Sequence, residues 1–373
     1  MNFDLSDDQR ALVDTVEKFA RSKGAQRPAT ETAQASAEAT IARWQQMSEL
    51  GLAGLVITEE HGGIGMSGVE VVLVCEALGE SLAQEPFITA AVVAPRLLEL
   101  SSSDAIRADH LQGIAEGRQR IALACDENVH EFNLEQVATR IEERDGRYLA
   151  YGTKELVVDG AAATHFAVTA LSDRHGFNLF LATADQPGVT VTPLRGLDGG
   201  WLARVEFEGA EVSGPLFEAP SGLAYLEHAL DHGTVALCAE ALGLMNRMLA
   251  LTASYLQTRH QFGKPIGTFQ ALQHRFAEMI VAAEQARSAT LMAAAALIGE
   301  DPLACRQDVS AAKVLVCRHG RAVLEGAIQL HGGIGITDEF ELSRYVRRML
   351  EIEKTWGDAE YHEARYADAL EQF

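Results

Sequence analysis

The feature that most constrains the fold is a change in predicted secondary structure along the chain: long helical segments flank a middle segment of short β-rich runs. Runs such as HFAVTA, FNLFLATA and GVTVTPL alternate there with turn residues, for example Asp145-Gly146 and Pro187-Gly188. Short strands separated by Gly and Pro turns are typical of an antiparallel barrel or sandwich. We therefore predict a multidomain α+β protein with a middle antiparallel β-barrel or sandwich domain at residues 118–218.

The preceding segment, residues 1–117, is predicted to be an N-terminal helical domain. Ser6 and Gln9 fit a capping box. Apolar residues then recur at helical spacing, at Leu12, Val13, Val16, Phe19 and Ala20. A second helix is expected to end before Gly51. The glycine-rich run Glu59–Gly68 does not match GxGxxG and follows no clear strand, so we interpret it as a turn between helices.

The last segment, residues 219–373, returns to long helical patterns and is predicted to be a C-terminal four-helix bundle. The expected helices are Tyr225–Thr258, Thr268–Gly299, Asp308–Leu330 and a stretch within Glu339–Gln372. Runs rich in glycine, Gly263–Gly267 and His331–Gly335, separate them. The predicted order is therefore helical, β, helical.

Composition excludes several kinds of protein. The chain has 373 residues, 47% of them hydrophobic, and a formal net charge of −22. So strong a negative charge disfavours nucleic acid and anionic membranes as partners. No apolar run reaches the roughly 18–20 residues that a membrane-spanning helix needs. The start, MNFDLSDDQR, has no apolar signal-peptide core. We expect no nucleic acid, no membrane and a cytoplasmic location.

The cysteines argue against a metal or disulfide framework. There are five, an odd number, and none forms a CxxC pair. Zinc sites and disulfide-stapled folds normally show paired cysteines at short spacings. We therefore expect reduced thiols in a reducing compartment and no metal site.

Two runs in the last segment carry a specific resemblance. TASYLQTRHQFGKPIGTFQALQHRFAEM (Thr252–Met279) is followed by AIQLHGGIGITDEF (Ala327–Phe340). Together, behind a helical–β–helical chain, they resemble the acyl-CoA dehydrogenase family over nearly the whole length. Within it, ALCAEALG, EQARS, AAK and GDAEYH look most like the small subunit of bacterial pimeloyl-CoA dehydrogenase.

The resemblance implies a function and a cofactor. The family removes the α-proton of an acyl-CoA with a carboxylate base while hydride passes from the β-carbon to FAD. An electron-transfer flavoprotein usually reoxidises the flavin. This chemistry needs a base opposite the flavin and hydrogen bonds to the thioester carbonyl. The expected cofactor is FAD, and the expected partners are an acyl-CoA, an electron-transfer flavoprotein and further subunits of a homo- or hetero-tetramer.

The resemblance also implies cofactor-binding residues. These are Arg259, Gln261, Phe262, Ile266, Phe269, Gln329, Leu330 and Gly333. In the family, the positions of Arg259 and Phe262 reach the FAD of a neighbouring subunit. A guanidinium suits a diphosphate and an aromatic ring suits a flat ring system. Glycine at 333 would let the backbone approach the cofactor. The alternative is a surface ion pair for Arg259 and a plain helix–helix turn for the glycine.

Two middle-segment motifs depart from the family. A glycine-rich TEPxAGSD-type turn usually holds the flavin ring, but Cys125–His130 reads CDENVH. The usual GxKxWITN run is here Gly152–Asp159, GTKELVVD. Leu156 and Val158 thus replace the aromatic and hydroxyl side chains that contact the ring. We expect the C-terminal motifs, or a partner, to provide most of the flavin binding.

The catalytic base is missing from both places where the family has it. Counting 27 residues beyond Gln329 gives Trp356, and counting ten back from Gly243 gives Gly233. Neither can accept a proton. Glu240, two helical turns beyond Gly233 in an apolar run, and Asp358, two residues past Trp356, are the candidate bases. The alternatives are a structural carboxylate for Glu240 and a helix cap or FAD contact for Asp358.

Three hypotheses remain open from the sequence. The chain is a self-sufficient dehydrogenase with an unusual base, or a cofactor-supporting subunit of a heteromeric enzyme without turnover of its own. The third is a flavoprotein of the same fold with another substrate. No motif reports the acyl chain, because such pockets are built from scattered apolar positions.

Overall fold

The computed structural model describes residues 5–22, 32–218, 222–299 and 301–371. Its α-helices are α1 (Asp7–Ala20), α2 (Ala33–Glu49), α3 (Gly68–Glu80), α4 (Ala94–Glu99), α5 (Asp104–Ala115), α6 (Gly222–Thr258), α7 (Gln270–Ala296), α8 (Pro302–His331), α9 (Leu342–Lys354) and α10 (Ala359–Leu370). Its strands are β1 (Ile121–Ala124), β2 (Arg140–Arg144), β3 (Arg147–Val158), β4 (His165–Ser172), β5 (Gly176–Thr183), β6 (Val189–Arg195), β7 (Trp201–Val212), β8 (His260–Gln261) and β9 (Lys264–Pro265). The predicted order of helical, β and helical segments is confirmed.

The helix ends follow the local sequence. Ser6 caps α1 through a complete capping box with Gln9, as predicted. After α2, Gly51 takes a positive φ of 79°, which a residue without Cβ adopts readily. Asp301 caps α8 by accepting hydrogen bonds from Leu303 N and Ala304 N. These caps satisfy amide groups that a helix terminus otherwise leaves unpaired.

The chain forms two compact units. Unit 1 contains Met1–Gln26, Gly68–Ala83 and Thr234–Phe373, and unit 2 contains Arg27–Ser67 and Gln84–Gly233. The division follows packing rather than chain order, because α3 belongs to unit 1 although its flanking helices belong to unit 2.

Within unit 1, α3 and α6 cross at backbone contact. A Cβ on Gly79 would lie 2.2 Å from the carbonyl oxygen of Glu240. A Cβ on Gly243 would lie 2.1 Å from the carbonyl oxygen of Glu76. Neither distance is sterically allowed, so both helices need glycine where they cross. Arg287 of α7 adds a two-pronged ion pair to Glu76 at 2.7 and 2.9 Å.

The middle segment is one seven-stranded sheet in unit 2, with strand order β1-β4-β2-β3-β7-β6 and β5 on β4. Among the described strands the prediction of purely antiparallel pairing needs a correction. β4 pairs in parallel with β1 along its first half and with β2 along its second, for example Ile121↔His165 and Arg140↔Leu171. Parallel neighbours are brought together by tertiary packing, which turn signals do not report.

Strand β2 was not predicted. Its sequence, RIEER, buries only Ile141, so it shows neither a β-rich run nor a clear alternation. The Asp145-Gly146 turn that joins β2 to β3 was identified, and both residues have positive φ. That combination is the usual one for a two-residue hairpin turn. The core beneath the sheet pairs large rings such as Phe166, Phe180 and Phe207 with many alanines.

One described helix, α6, is long and apolar enough to cross a membrane by length and composition alone. The expectation that no such run exists is therefore wrong for α6. Its most apolar window has a mean hydropathy of 1.3, yet 72% of it is buried inside the protein. This burial is typical of a helix in a protein core, so the apolar residues of α6 are explained by packing within the protein.

Candidate functional site

The Arg259–Phe269 segment of unit 1 forms an exposed hairpin. Strands β8 and β9 pair His260 with Pro265 and Gln261 with Lys264. The two-residue turn between them is Phe262-Gly263, with φ of 53° and 79°. Glycine accepts such values freely, whereas a phenylalanine there is strained.

The aromatic ring of Phe262 points away from its own chain. It is 90% exposed and touches Phe269 only edge-on, with 6.1 Å between ring centroids. Lys264 covers the ring of Phe269, with Nζ 4.4 Å from its centroid. An exposed aromatic in a strained turn does little for the stability of the lone chain, so its place suits a contact outside it.

Arg259 lies beside this hairpin. Its carbonyl accepts a hydrogen bond from Ile266 N at 2.9 Å, which ties the hairpin to the end of α6. Its exposed guanidinium has no carboxylate partner within the described residues. The alternative of a surface ion pair thus receives no support from the described part, and the charge is available to an anionic group.

The QLHGG run lies at the C-terminal end of α8, and like the hairpin it contains exposed residues. Gln329 is exposed, and a Cβ on Gly332 or Gly333 would meet nothing within 4 Å. The packing of the chain therefore does not require glycine at position 333, and the backbone there is open to a group from outside. Leu330, in contrast, is buried in the core, so its geometry gives it a packing role.

Glu240, the first candidate base, is held in an ion pair within unit 1. Arg348 of α9 donates from Nε to Oε1 at 2.6 Å and from Nη2 to Oε2 at 2.8 Å. The Glu240 side chain is only 7% exposed. A bidentate guanidinium stabilises the carboxylate and occupies both of its oxygens. This arrangement favours a structural role over proton abstraction.

Asp358, the second candidate, caps α10. Its Oδ1 accepts from Tyr361 N at 3.2 Å and its Oδ2 from Lys354 Nζ at 2.8 Å. The hydrogen bond from Lys354 is the main reason that the pKa of Asp358 is lowered. A carboxylate of lowered pKa is a weaker base, so the geometry again favours a structural role.

The turn that carries Trp356 is fixed by buried polar groups that the sequence did not reveal. The fully buried Lys313 of α8 donates from Nζ to the carbonyls of Ile352 (2.6 Å) and Thr355 (2.9 Å), at the end of α9. His362 Nε2 lies 3.2 Å from the Trp356 carbonyl. Trp356 is itself buried and has a φ of 53°, unusual for a bulky residue. The sequence offers one sign of this buried polar contact, which is the single lysine, Lys313, within the apolar run AAKVLV.

In unit 2, Cys125–His130 stands where the family has its glycine-rich turn. The carboxylate of Glu127 holds this loop in place through three hydrogen bonds. Glu127 accepts from Lys154 Nζ (2.6 Å), Ala138 N (2.6 Å) and Thr139 N (3.1 Å). Burial alone would raise the pKa of Glu127, but the ammonium and these donors lower it overall. Beside it, burial raises the pKa of Asp126 to about 6. The lysine of GTKELVVD is thus a structural anchor.

The comparisons with known proteins bear on this geometry. An acyl-CoA dehydrogenase C-terminal domain model matches residues 220–370, and an N-terminal domain model matches residues 6–118. The acyl-CoA dehydrogenase FadE27 of Mycobacterium tuberculosis is 30% identical over 323 residues, which cover 85% of this chain and 84% of FadE27. The chain is an acyl-CoA dehydrogenase family member.

Solved structures of the family superpose over the full length. The ChsE4–ChsE5 complex from M. tuberculosis gives a TM-score of 0.86 at 25% identity, with 100% of both chains covered. Butyryl-CoA dehydrogenase from Megasphaera elsdenii gives 0.88 at 23% identity, covering 99% of this chain and 100% of that one. At that identity the second likeness shows the acyl-CoA dehydrogenase fold alone.

The acyl-CoA dehydrogenase family uses FAD, and the residues of unit 1 fit it in part. The charge of Arg259, the exposed ring of Phe262 and the open backbone at Gly333 are suited to the diphosphate and the flat rings. No cluster of three or more His, Cys, Asp or Glu side chains suited to a metal occurs among the described residues. None of the five cysteines, all described, forms a disulfide.

Proposed function

We propose that the chain is one subunit of a heteromeric FAD-dependent acyl-CoA dehydrogenase, supplying cofactor-binding elements while another chain supplies the base. The observation that carries this proposal is the state of the two family base positions and of the two candidate carboxylates. Trp356 and Gly233 cannot accept a proton, and Glu240 and Asp358 are both engaged by cationic side chains. Removing an α-proton without a positioned base would forgo about 10²–10⁴ in rate.

The exposed hairpin supports the same assembly. The side chains of Phe262 and Arg259 are exposed on unit 1, which leaves them available to a neighbouring chain. The similarity to the ChsE4–ChsE5 complex, and the likeness of the sequence to a small dehydrogenase subunit, favour a second, different chain as neighbour. The proposed assembly is a tetramer, and the proposed electron acceptor is an electron-transfer flavoprotein.

The roles of the chain's own residues follow from their chemistry. When bound, FAD accepts the hydride that leaves the acyl β-carbon. Arg259 would neutralise diphosphate charge, and Phe262 would cover a flat ring of the cofactor. Gly333 would let the backbone of the α8 end approach the cofactor. None of these side chains moves the α-proton.

Reconstitution tests the proposal. The purified chain alone should not reduce ferrocenium with any of a panel of saturated acyl-CoAs. Addition of a co-purifying larger chain with an intact glutamate should restore the activity and the yellow cofactor spectrum. Robust activity of the lone chain would overturn the proposal.

A second candidate is a self-sufficient dehydrogenase in which Glu240, a carboxylate of unit 1 that is 7% exposed, acts as the base despite its ion pair with Arg348. It predicts that the lone chain is active and that Glu240→Gln abolishes turnover while Asp358→Asn does not. The variant Trp356→Glu places a glutamate at a position where the family has its base. If the lone chain binds acyl-CoA next to residue 356, this variant should show measurable dehydrogenase activity.

A further inference from the structure

The side chain of His331 contacts two other rings within unit 1. Its imidazole is buried, with 4.6 Å between its centroid and that of Tyr255 and 5.0 Å to that of Phe340. The ring planes are tilted by 30° and 45°. Rings at these separations attract one another beyond the effect of burial alone. The three side chains therefore form one connected group, the His331 ring cluster.

The ring cluster joins the two segments that carry the candidate cofactor residues. Tyr255 lies in the last turn of α6, and its carbonyl accepts a hydrogen bond from Arg259 N at 2.9 Å. Arg259 is in turn tied to the β8–β9 hairpin. His331 is the last residue of α8 and directly precedes the turn Gly332–Ile336, which contains Gly333. The cluster is therefore a direct bridge between the hairpin and the QLHGG run.

The imidazole of His331 is also fixed within its own segment. Its Nδ1 lies 2.8 Å from the carbonyl oxygen of Ala327, one turn earlier on α8. A Cβ on Gly335 would lie 3.0 Å from the Cβ of His331, so the following turn packs closely against this side chain. Burial lowers the pKa of His331, although the hydrogen bond with Ala327 opposes this change. The ring is therefore neutral at pH 7 and donates from Nδ1, because a carbonyl oxygen can only accept.

We propose that His331 is a positioning residue of the cofactor site, whose ring cluster fixes the β8–β9 hairpin relative to the QLHGG run. This inference rests on the proposed roles of Arg259 and Gly333 in FAD binding. The imidazole is 3% exposed, so it acts through the two segments rather than by touching the cofactor. Holding both segments in place before FAD arrives lowers the entropic cost of binding it.

Two variants separate the ring of His331 from its hydrogen bond. His331→Phe keeps an aromatic ring in contact with Tyr255 and Phe340 but has no donor for Ala327. His331→Asn keeps a donor on a short side chain and removes the ring. His331→Asn should weaken FAD binding to the assembled protein roughly three- to tenfold, because its aromatic contacts are lost. His331→Phe should bind FAD as the native chain does.

Hydrogen exchange of the full chain without FAD measures the positioning directly. In His331→Asn, the amides of residues 260–269 and 332–336 should exchange faster than in the native chain, while those of β7 should not change. His319→Asn makes the same replacement elsewhere on α8 and is the matched control. It should alter neither hydrogen exchange nor FAD affinity.

Several results would overturn the proposal. One is unchanged exchange in both segments of His331→Asn. Another is native FAD affinity in His331→Asn under conditions where Arg259→Ala weakens binding. An equal loss of affinity in His331→Phe would show that the hydrogen bond, and not the ring, is decisive.

The proposed cofactor role of the hairpin can fail separately from the ring cluster. If Arg259→Ala leaves FAD binding unchanged, that role is wrong, and hydrogen exchange alone decides whether the cluster positions the two segments. Should His331→Asn fail to fold, Tyr255→Leu removes one ring of the cluster in its place, and the same two readouts apply.

Discussion

Arg259 is exposed, and we propose that its guanidinium binds the diphosphate of FAD. Arg259→Ala should weaken FAD binding by roughly ten- to a hundredfold, because a charge-assisted hydrogen bond is worth about 1.5–3 kcal/mol. The measurement is cofactor retention after dilution of the assembled protein. Arg318→Ala, which removes an exposed guanidinium paired with Glu363, is the control and should leave retention unchanged. Full retention in Arg259→Ala would show that Arg259 is not a ligand.

The ion pair of Glu240 and Arg348 predicts a loss of stability. Glu240→Gln should lower the free energy of unfolding by about 1–3 kcal/mol, because it leaves a mostly buried guanidinium without its counter-charge. The matched control is Glu341→Gln, which breaks the more exposed pair with Arg247 and should cost less than about 1 kcal/mol. Denaturant unfolding measures both. Equal effects would contradict a structural role for the Glu240 pair.

At the scale of elements, the turn of the β8–β9 hairpin should affect the stability of the chain and its binding of FAD in opposite directions. Phe262→Gly should not lower the melting temperature of the chain, because glycine relieves a positive φ and the lost ring was almost fully exposed. The same variant should bind FAD less tightly in the assembled protein. Gly263→Ala is the control, since it adds strain at a φ of 79° without removing an aromatic ring. A large loss of stability in Phe262→Gly would mean that the ring packs on its own chain.

Elements were predictable where their signals are local. The Asp145-Gly146 turn and the cap at Ser6 each depend on residues a few positions apart, and the structure confirms these elements. Strand β2 was missed because only Ile141 of its five residues is buried. The sequence also could not distinguish a base from an ion-paired carboxylate at Glu240. Its partner Arg348 lies 108 positions away, and no periodicity connects the two.

At the scale of the whole molecule, two buried histidines and the half-buried His165 make stability depend on pH. Burial is the main cause that lowers the pKa of His232 and His362 to about 3 and of His165 to about 4, from an ordinary 6.5. Between these values the unfolded chain binds more protons than the folded one, so stability rises with pH. It should fall as pH drops below about 6.5.

Thermal melting between pH 7 and pH 5 checks this slope. His362→Gln should flatten it, because the unfolded chain then loses one of the protons that drive the effect. An exposed-histidine variant, His260→Gln, should leave it unchanged. A melting temperature that does not fall with pH would contradict the neutral, buried state of these imidazoles.

The assembly is a prediction at the same scale. A chain whose Phe262 and Arg259 project outward should associate, so light scattering should give a mass several times 40.3 kDa. A lone species of that mass, still holding FAD, would contradict both the oligomer and the role of the hairpin. The Phe262→Gly variant should keep the oligomer if other surfaces hold it together.

The exposed ring of Phe262 also has a consequence for the cell that makes this chain. A copy without its neighbour carries a strained turn and a bare aromatic side chain, which are features that chaperones and proteases recognise. We therefore expect surplus chain to be degraded. Its abundance should follow that of whatever covers the hairpin, even when its own synthesis is raised.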